Sequence, residues 1–150
     1  MPRAETARAA EIAFDRGKAG EGADGPCLRT LIIDDNVDSA QGLAHYLRTL
    51  GHQVHLAHSG RSGIEAARNL RPDAVLLDIG LPDLSGYEVA RYIRNDPELT
   101  STALIAVTGY GREVDRLETA AAGFHRHLVK PVDLDALRLA LGEIAVLPQR

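Results

Sequence analysis

The sequence predicts an α/β fold: a doubly wound, five-stranded parallel sheet in the strand order 2-1-3-4-5, with helices on both faces. Three observations carry that expectation. From Leu31 onward, short apolar and β-branched runs alternate with segments of helical spacing, the pattern of consecutive βαβ units. The third run, "AVLLD" at 74–78, is apolar up to its last residue, as a central strand buried on both faces must be. Polar residues fall where the runs end, and in such a sheet the carboxyl ends of the strands share one edge, whose crevice is the usual binding site.

In chain order, residues 1–28 stand apart. They are Ala-rich with mixed charges up to Phe14, which allows a short helix. "DRGKAGEGADGPC" then has the Gly-rich, small-residue composition of a linker. The expected organisation is a flexible extension at 1–28, one domain at 29–146 and a tail at 147–150. The expected strands are "TLIID", "QVHLA", "AVLLD", "ALIAVT" and "HLVK". "SAQGLAHYLRTLG" sets Leu43, Leu47 and Leu50 on one helical face and stops at Gly51. "SGIEAARNLRP" repeats the pattern with Ile64, Ala67 and Leu70 before Pro72. "GYEVARYIRND", "EVDRLETAAAG" and "DLDALRLALGEI" complete five helices.

Composition bounds the function. With 45% hydrophobic and 25% charged residues the chain matches an ordinary globular domain. A formal net charge of −4 argues against nucleic acid or an anionic membrane surface as partner, since either calls for a basic patch. No apolar run nears the roughly 20 residues of a membrane span, and the N-terminus lacks a signal-peptide core. A single Cys27 excludes an internal disulfide and fits a reducing cytoplasm.

Asp34 and Asp35 close the first run, Asp78 the third, Thr108 the fourth and Lys130 the fifth. In the order 2-1-3-4-5 these five side chains converge around Asp78. Three neighbouring carboxylates cannot all stay ionised without compensation, and a divalent cation supplies it. Hard oxygen ligands at a wet rim suit Mg²⁺, with Mn²⁺ as substitute. Lys130 adds a mobile positive charge and Thr108 a hydroxyl donor, a set that stabilises a phosphoryl group. Asp78, in the middle, can act as the nucleophile and become an aspartyl phosphate.

The motifs "IIDDN", "LLDIGLPDLSG", "AVTGYG" and "HLVKPVD", each at the end of its own strand, resemble the receiver domain of two-component response regulators, over about residues 29–146. The resemblance implies the flavodoxin-like (βα)5 fold and a set of roles. Asp78 matches the phosphoacceptor, Asp35 the acid that binds the metal directly, and Asp34 one that acts mainly through metal-bound water. The backbone carbonyl of Gly80 matches a further metal ligand. Thr108 matches the hydroxyl that moves to the phosphoryl oxygen, and Lys130 its ion-pairing lysine. Pro131 matches a proline usually preceded by a cis peptide bond, and Pro82 and Gly86 match the turn into the third helix. The donor implied is a sensor histidine kinase or a histidine phosphotransfer protein. The output surface implied is the face of the fourth helix, fifth strand and fifth helix, with homodimerisation left open. On this reading the chain signals and does not turn over a separate substrate. No output domain is expected after "LGEIAVLPQR", and both a stand-alone regulator and a receiver from a hybrid kinase remain open.

One position departs from the family pattern. Where relatives commonly carry Tyr or Phe three residues before the lysine, this chain has His127, expected to take the switch role in a smaller, ionisable form. The remaining motifs have plainer readings. Asp35 or Asn36 can serve as a helix N-cap, Thr108 can cap the fourth helix, and Gly109 and Gly111 suit a turn. His52, His55 and His58 recur every third residue, a spacing that alternates faces on a strand and so disfavours a shared metal. His125 and His127 are expected on one face of the fifth strand. Two other functions compete. A haloacid-dehalogenase-type phosphatase uses similar residues, but places its nucleophile after the first strand and its paired acids late, the reverse of the order here. A phosphorylation-independent pseudo-receiver, docking constitutively on a partner, is the second.

Overall fold

The computed structural model describes residues 27–109 and 121–146. Five parallel strands, β1 (Arg29–Ile33), β2 (Gln53–Ala57), β3 (Ala74–Asp78), β4 (Ala103–Thr108) and β5 (Phe124–Val129), form one sheet in the order β2-β1-β3-β4-β5. Every residue of β3 and β4 is buried, which is why these two strands read as unbroken apolar runs.

Each helix starts where a short polar side chain can take up a free amide. In α1 (Val37–Thr49) the cap is Asn36, whose side chain accepts the Ser39 N–H, so this role does not fall to Asp35. The helix ends before Gly51, whose φ of 93° allows the left-handed turn the sequence predicts there. Ser59 caps α2 (Gly60–Leu70) and Ser85 caps α3 (Gly86–Arg94), both with reciprocal capping boxes. Asp133 caps α4 (Leu134–Ala145), the fifth helix of the sequence reading.

The helices divide the core into two layers. On one face, Leu43 and Leu47 of α1 and Leu137, Leu141 and Ile144 of α4 pack on Ile32, Leu76 and Ile105. On the other, Ala67 of α2 and Val89 and Ile93 of α3 pack on Leu31, Ile33, Leu77 and Leu104. Leu28 is 5% exposed and belongs to the first layer. Its N–H donates to Nδ1 of His52 at 3.0 Å, and burial pulls the His52 pKa down, which keeps that nitrogen an acceptor.

The expected helix at 113–123 lies largely outside the described residues, as do Tyr110, Gly111, the tail at 147–150 and residues 1–26 of the extension. β5 begins three residues before "HLVK", at Phe124. It also carries a register shift opposite Leu104/Ile105, so Phe124 pairs with Leu104 but Arg126 with Ile105. The extra residue, His125, breaks the alternation. His125 turns to Glu143 of α4 at 3.2 Å, while His127 turns to Thr108, so the expectation that these histidines share a face is corrected. No helix among the described residues is long and apolar enough to cross a membrane.

Candidate functional site

The register of the sheet builds the site. Ile33 pairs with Leu77, so Asp34 and Asp78 follow as the next residues out on adjacent strands. Asp78 pairs with Val107 and Thr108 with Val129, which places Thr108 and then Lys130 on the same rim. The Lys130 N–H donates to the Thr108 carbonyl at 2.7 Å, and the Lys130–Pro131 peptide is cis.

Asp34, Asp35 and Asp78 come together: one carboxylate oxygen from each lies within 4.8 Å of the others. Asp34 and Asp78 are buried and Asp35 is exposed, so the cluster opens to solvent on one side. The Lys130 ammonium lies 2.8 Å from Asp34 Oδ2 and 3.5 Å from Asp78 Oδ2. Asp34 Oδ1 accepts the Asn36 N–H at 2.9 Å, and Asp78 Oδ1 accepts the Gly80 N–H at 2.9 Å. Thr108 is fully buried. Its Oγ1 is not on the carboxylates but 3.4 Å from His127 Nε2. Pro82 and Gly86 flank the site in the loop after Asp78, where the Gly86 N–H donates to the Ile79 carbonyl at 2.9 Å.

The electrostatics follow from burial and crowding. Desolvation raises the Asp78 pKa most and the nearby Asp34 adds to it, while the Gly80 amide and Lys130 work the other way. Burial opposes the Lys130 charge, but its contacts with Asp34 and Asp78 outweigh that and leave its pKa raised. One ammonium cannot balance three carboxylates. The donor set, all hard oxygens with one side open to water, fits a Mg²⁺ ion that keeps part of its hydration shell. Among the described residues this is the one group of His, Cys, Asp or Glu side chains placed to hold a metal. His52, His55 and His58 form no such group.

Two contacts near the site went unread in the sequence. His58 places Nδ1 3.0 Å from the Asp34 carbonyl, and because a carbonyl only accepts, that nitrogen carries the proton. Asp83 accepts the N–H groups of Gly60 and Arg61 at 2.8 and 3.0 Å. Both contacts join segments more than twenty residues apart, beyond the reach of local spacing.

A sheet of this order with acids, hydroxyl and lysine on its carboxyl rim defines the class, and the chain belongs to the response regulator receiver domain family, whose model matches residues 30–142. It is similar to PilH of Pseudomonas aeruginosa, 37% identical over 109 residues that cover 73% of this chain and 90% of PilH. Three longer relatives are spanned for only 12 to 50% of their length. Among solved structures, the chemotaxis response regulator CheY4 of Vibrio cholerae superposes with a TM-score of 0.72 at 25% identity, covering 79% of this chain and 98% of CheY4. The receiver domain of Saccharomyces cerevisiae Ssk1, in complex with the histidine phosphotransfer protein Ypd1, is also similar, with a TM-score of 0.74 and 26% identity over 81% of this chain and 91% of that one. The chain is thus a receiver domain of two-component signal transduction.

Proposed function

We propose that this receiver accepts a phosphoryl group on Asp78 from a phosphohistidine, held either by a sensor histidine kinase or by a phosphotransfer protein. The observation that carries the reading is the convergence of Asp34, Asp35 and Asp78 within 4.8 Å beside Lys130. An Asp78 oxygen attacks phosphorus, the new P–O bond forms as the P–N bond breaks, and the electron pair returns to the donor imidazole. Asp34, Asp35, Asp78 and the Gly80 carbonyl would hold Mg²⁺, which when bound neutralises the charge gathered on the transferring phosphoryl group. Lys130, already 3.5 Å from Asp78 Oδ2, pairs with a phosphoryl oxygen. The Gly80 N–H fixes Asp78 Oδ1, so the carboxylate is oriented before the donor arrives. Water then hydrolyses the acyl phosphate and resets the domain.

The donor assignment is supported by the Ssk1 receiver, which is seen with its phosphotransfer partner Ypd1. Incubation with a labelled phosphohistidine donor is expected to move label onto the wild type and not onto Asp78→Asn. Label retained by the variant, or absent from both, would refute the reading.

The switch on this reading is the Thr108–His127 pair. In the present state the Thr108 hydroxyl lies 3.4 Å from the imidazole, so drawing Thr108 toward a phosphoryl oxygen breaks that contact and changes the surroundings of the ring. The readout surface is the β5–α4 face, where Val129, Leu139 and Val146 are exposed, and the partner is a cytoplasmic protein. Replacing His127 with Phe removes the bond but keeps a swinging ring. The ratio of partner affinities with and without beryllofluoride is expected to change by severalfold, about 1 kcal/mol of coupling. An unchanged ratio would exclude His127 from the switch.

A further inference from the structure

Asp83 sits in the loop between β3 and α3, five residues after Asp78, and its carboxylate is committed to the start of α2. Oδ1 accepts the Gly60 N–H at 2.8 Å and Oδ2 the Arg61 N–H at 3.0 Å. The helix does not lack a cap of its own: Ser59 accepts the Ser62 N–H and Ser62 returns a bond to the Ser59 N–H. Asp83 is therefore a second, long-range acceptor at a helix end where the dipole favours negative charge. The Gly60 and Arg61 amides hold its carboxyl below the usual range.

Packing closes the same gap from both sides. A Cβ at Gly60 would stand 2.9 Å from Leu84 Cβ, so this loop lies against α2 because residue 60 has no side chain. Nearly one turn on, a Cβ at Gly63 would stand 2.5 Å from Cδ1 of Ile33. Ile33 is the last residue of β1, directly before Asp34. One turn of α2 thus touches the strand that presents Asp34 and Asp35, and the preceding turn touches the loop that follows Asp78.

We propose that Asp83 is a positioning residue for the acceptor site: by fastening the 79–85 loop to α2, itself seated on β1, it fixes the Asp78–Gly80 segment relative to the Asp34–Asp35 pair. The consequence for phosphorylation rests on the acceptor reading above, whereas the mechanical link does not. Asp83 is not one of the three carboxylates that converge, so its loss should loosen the site without removing any of them.

The test compares wild type, Asp83→Ala, Asp83→Asn and Ser59→Ala. Mg²⁺ affinity is read by calorimetry, the Gly80 amide by hydrogen exchange, and phosphorylation by acetyl phosphate at subsaturating Mg²⁺. Asp83→Ala is expected to weaken Mg²⁺ binding about tenfold, to slow phosphorylation in proportion and to speed exchange at Gly80. Asp83→Asn keeps one acceptor oxygen and falls between, and it decides the matter should the alanine variant fail to fold. Ser59→Ala removes the other cap of the same helix and should lower the melting temperature while leaving Mg²⁺ affinity and Gly80 exchange as in the wild type. Equal shifts in Ser59→Ala and the Asp83 variants, or none in the Asp83 variants, would overturn the proposal. If the wild type accepts no phosphoryl group, the acceptor reading falls, while Mg²⁺ affinity and Gly80 exchange still decide the role of Asp83.

Discussion

Gly86→Ala is expected to lower the melting temperature by roughly 10 °C and to abolish most phosphoryl acceptance with it. A Cβ at position 86 would lie 2.6 Å from Ile79 Cα and 2.9 Å from the Asp78 carbonyl oxygen. Both are backbone atoms, so no change of rotamer relieves the contact. Either α3 withdraws from the sheet edge, opening the layer around Val89 and Ile93, or the chain after Asp78 shifts and carries the Gly80 amide off the carboxylate. Overpacking of this kind costs about 3 kcal/mol, and here the strain falls on the segment that orients Asp78. Gly42→Ala is the informative contrast. Gly42 is exposed within α1 and a Cβ there meets nothing within 4 Å, so the substitution should stabilise by about 1 kcal/mol through helix propensity alone. Thermal unfolding of the two variants side by side should give shifts of opposite sign. A Gly86→Ala protein melting with the wild type would show that the loop can yield without cost.

Asp78→Asn is expected to remove phosphoryl acceptance entirely and, at neutral pH, to make the domain more stable than the wild type. Asp78 is 9% exposed, and burial, reinforced by Asp34, raises its pKa above the ordinary carboxylate value. Between its unfolded and folded pKa values the native state therefore binds more protons than the unfolded chain, and stability falls as pH rises through that window. Above it the full penalty of a buried, crowded charge is present, and the neutral amide escapes it. Asparagine retains an oxygen for the Gly80 N–H, and Lys130 keeps Asp34 at 2.8 Å, so little is lost in exchange. The advantage of the variant should fade as pH drops below the ordinary carboxylate range, where Asp78 is protonated in both states. Mg²⁺ should narrow it as well, because binding to the native state stabilises by about 2.7 kcal/mol at a hundred times the dissociation constant and the wild type has the fuller ligand set. Chemical denaturation of both proteins across pH, with and without Mg²⁺, measures this directly. A variant less stable than the wild type at pH 7 would contradict the assigned electrostatics.

The sheet was legible because its strands are buried on both faces: an apolar run such as "AVLLD" between helical segments leaves little else for it to be. The rim residues were legible for a related reason. Asp34, Asp78, Thr108 and Lys130 each directly follow or end a strand, so once the strand order is given, the register alone brings them together. What stayed hidden depends on long-range or irregular contacts. The early start of β5 was masked by "FHR", three residues that do not read as a strand because an edge position and a bulge let His125 and Arg126 reach Glu143. The same bulge separates His125 from His127, and no periodicity argument could anticipate an inserted residue. Asp83 reads as an ordinary turn acid, since nothing in "LPDLS" refers to a helix that begins more than twenty residues earlier. The identity of the α1 cap turned on a single residue: Asn36 takes the Ser39 amide, which leaves Asp35 exposed at the mouth of the site.

The most direct test of the central claim is the intact mass of the protein after exposure to acetyl phosphate, with and without Mg²⁺, for wild type and Asp78→Asn. A single phosphoryl adduct that requires Mg²⁺ and is absent from the variant is the predicted result. An adduct that persists in the variant or forms equally well without Mg²⁺, or a wild type that binds Mg²⁺ yet takes no phosphoryl group even from a phosphohistidine donor, would contradict Asp78 as a metal-assisted phosphoacceptor.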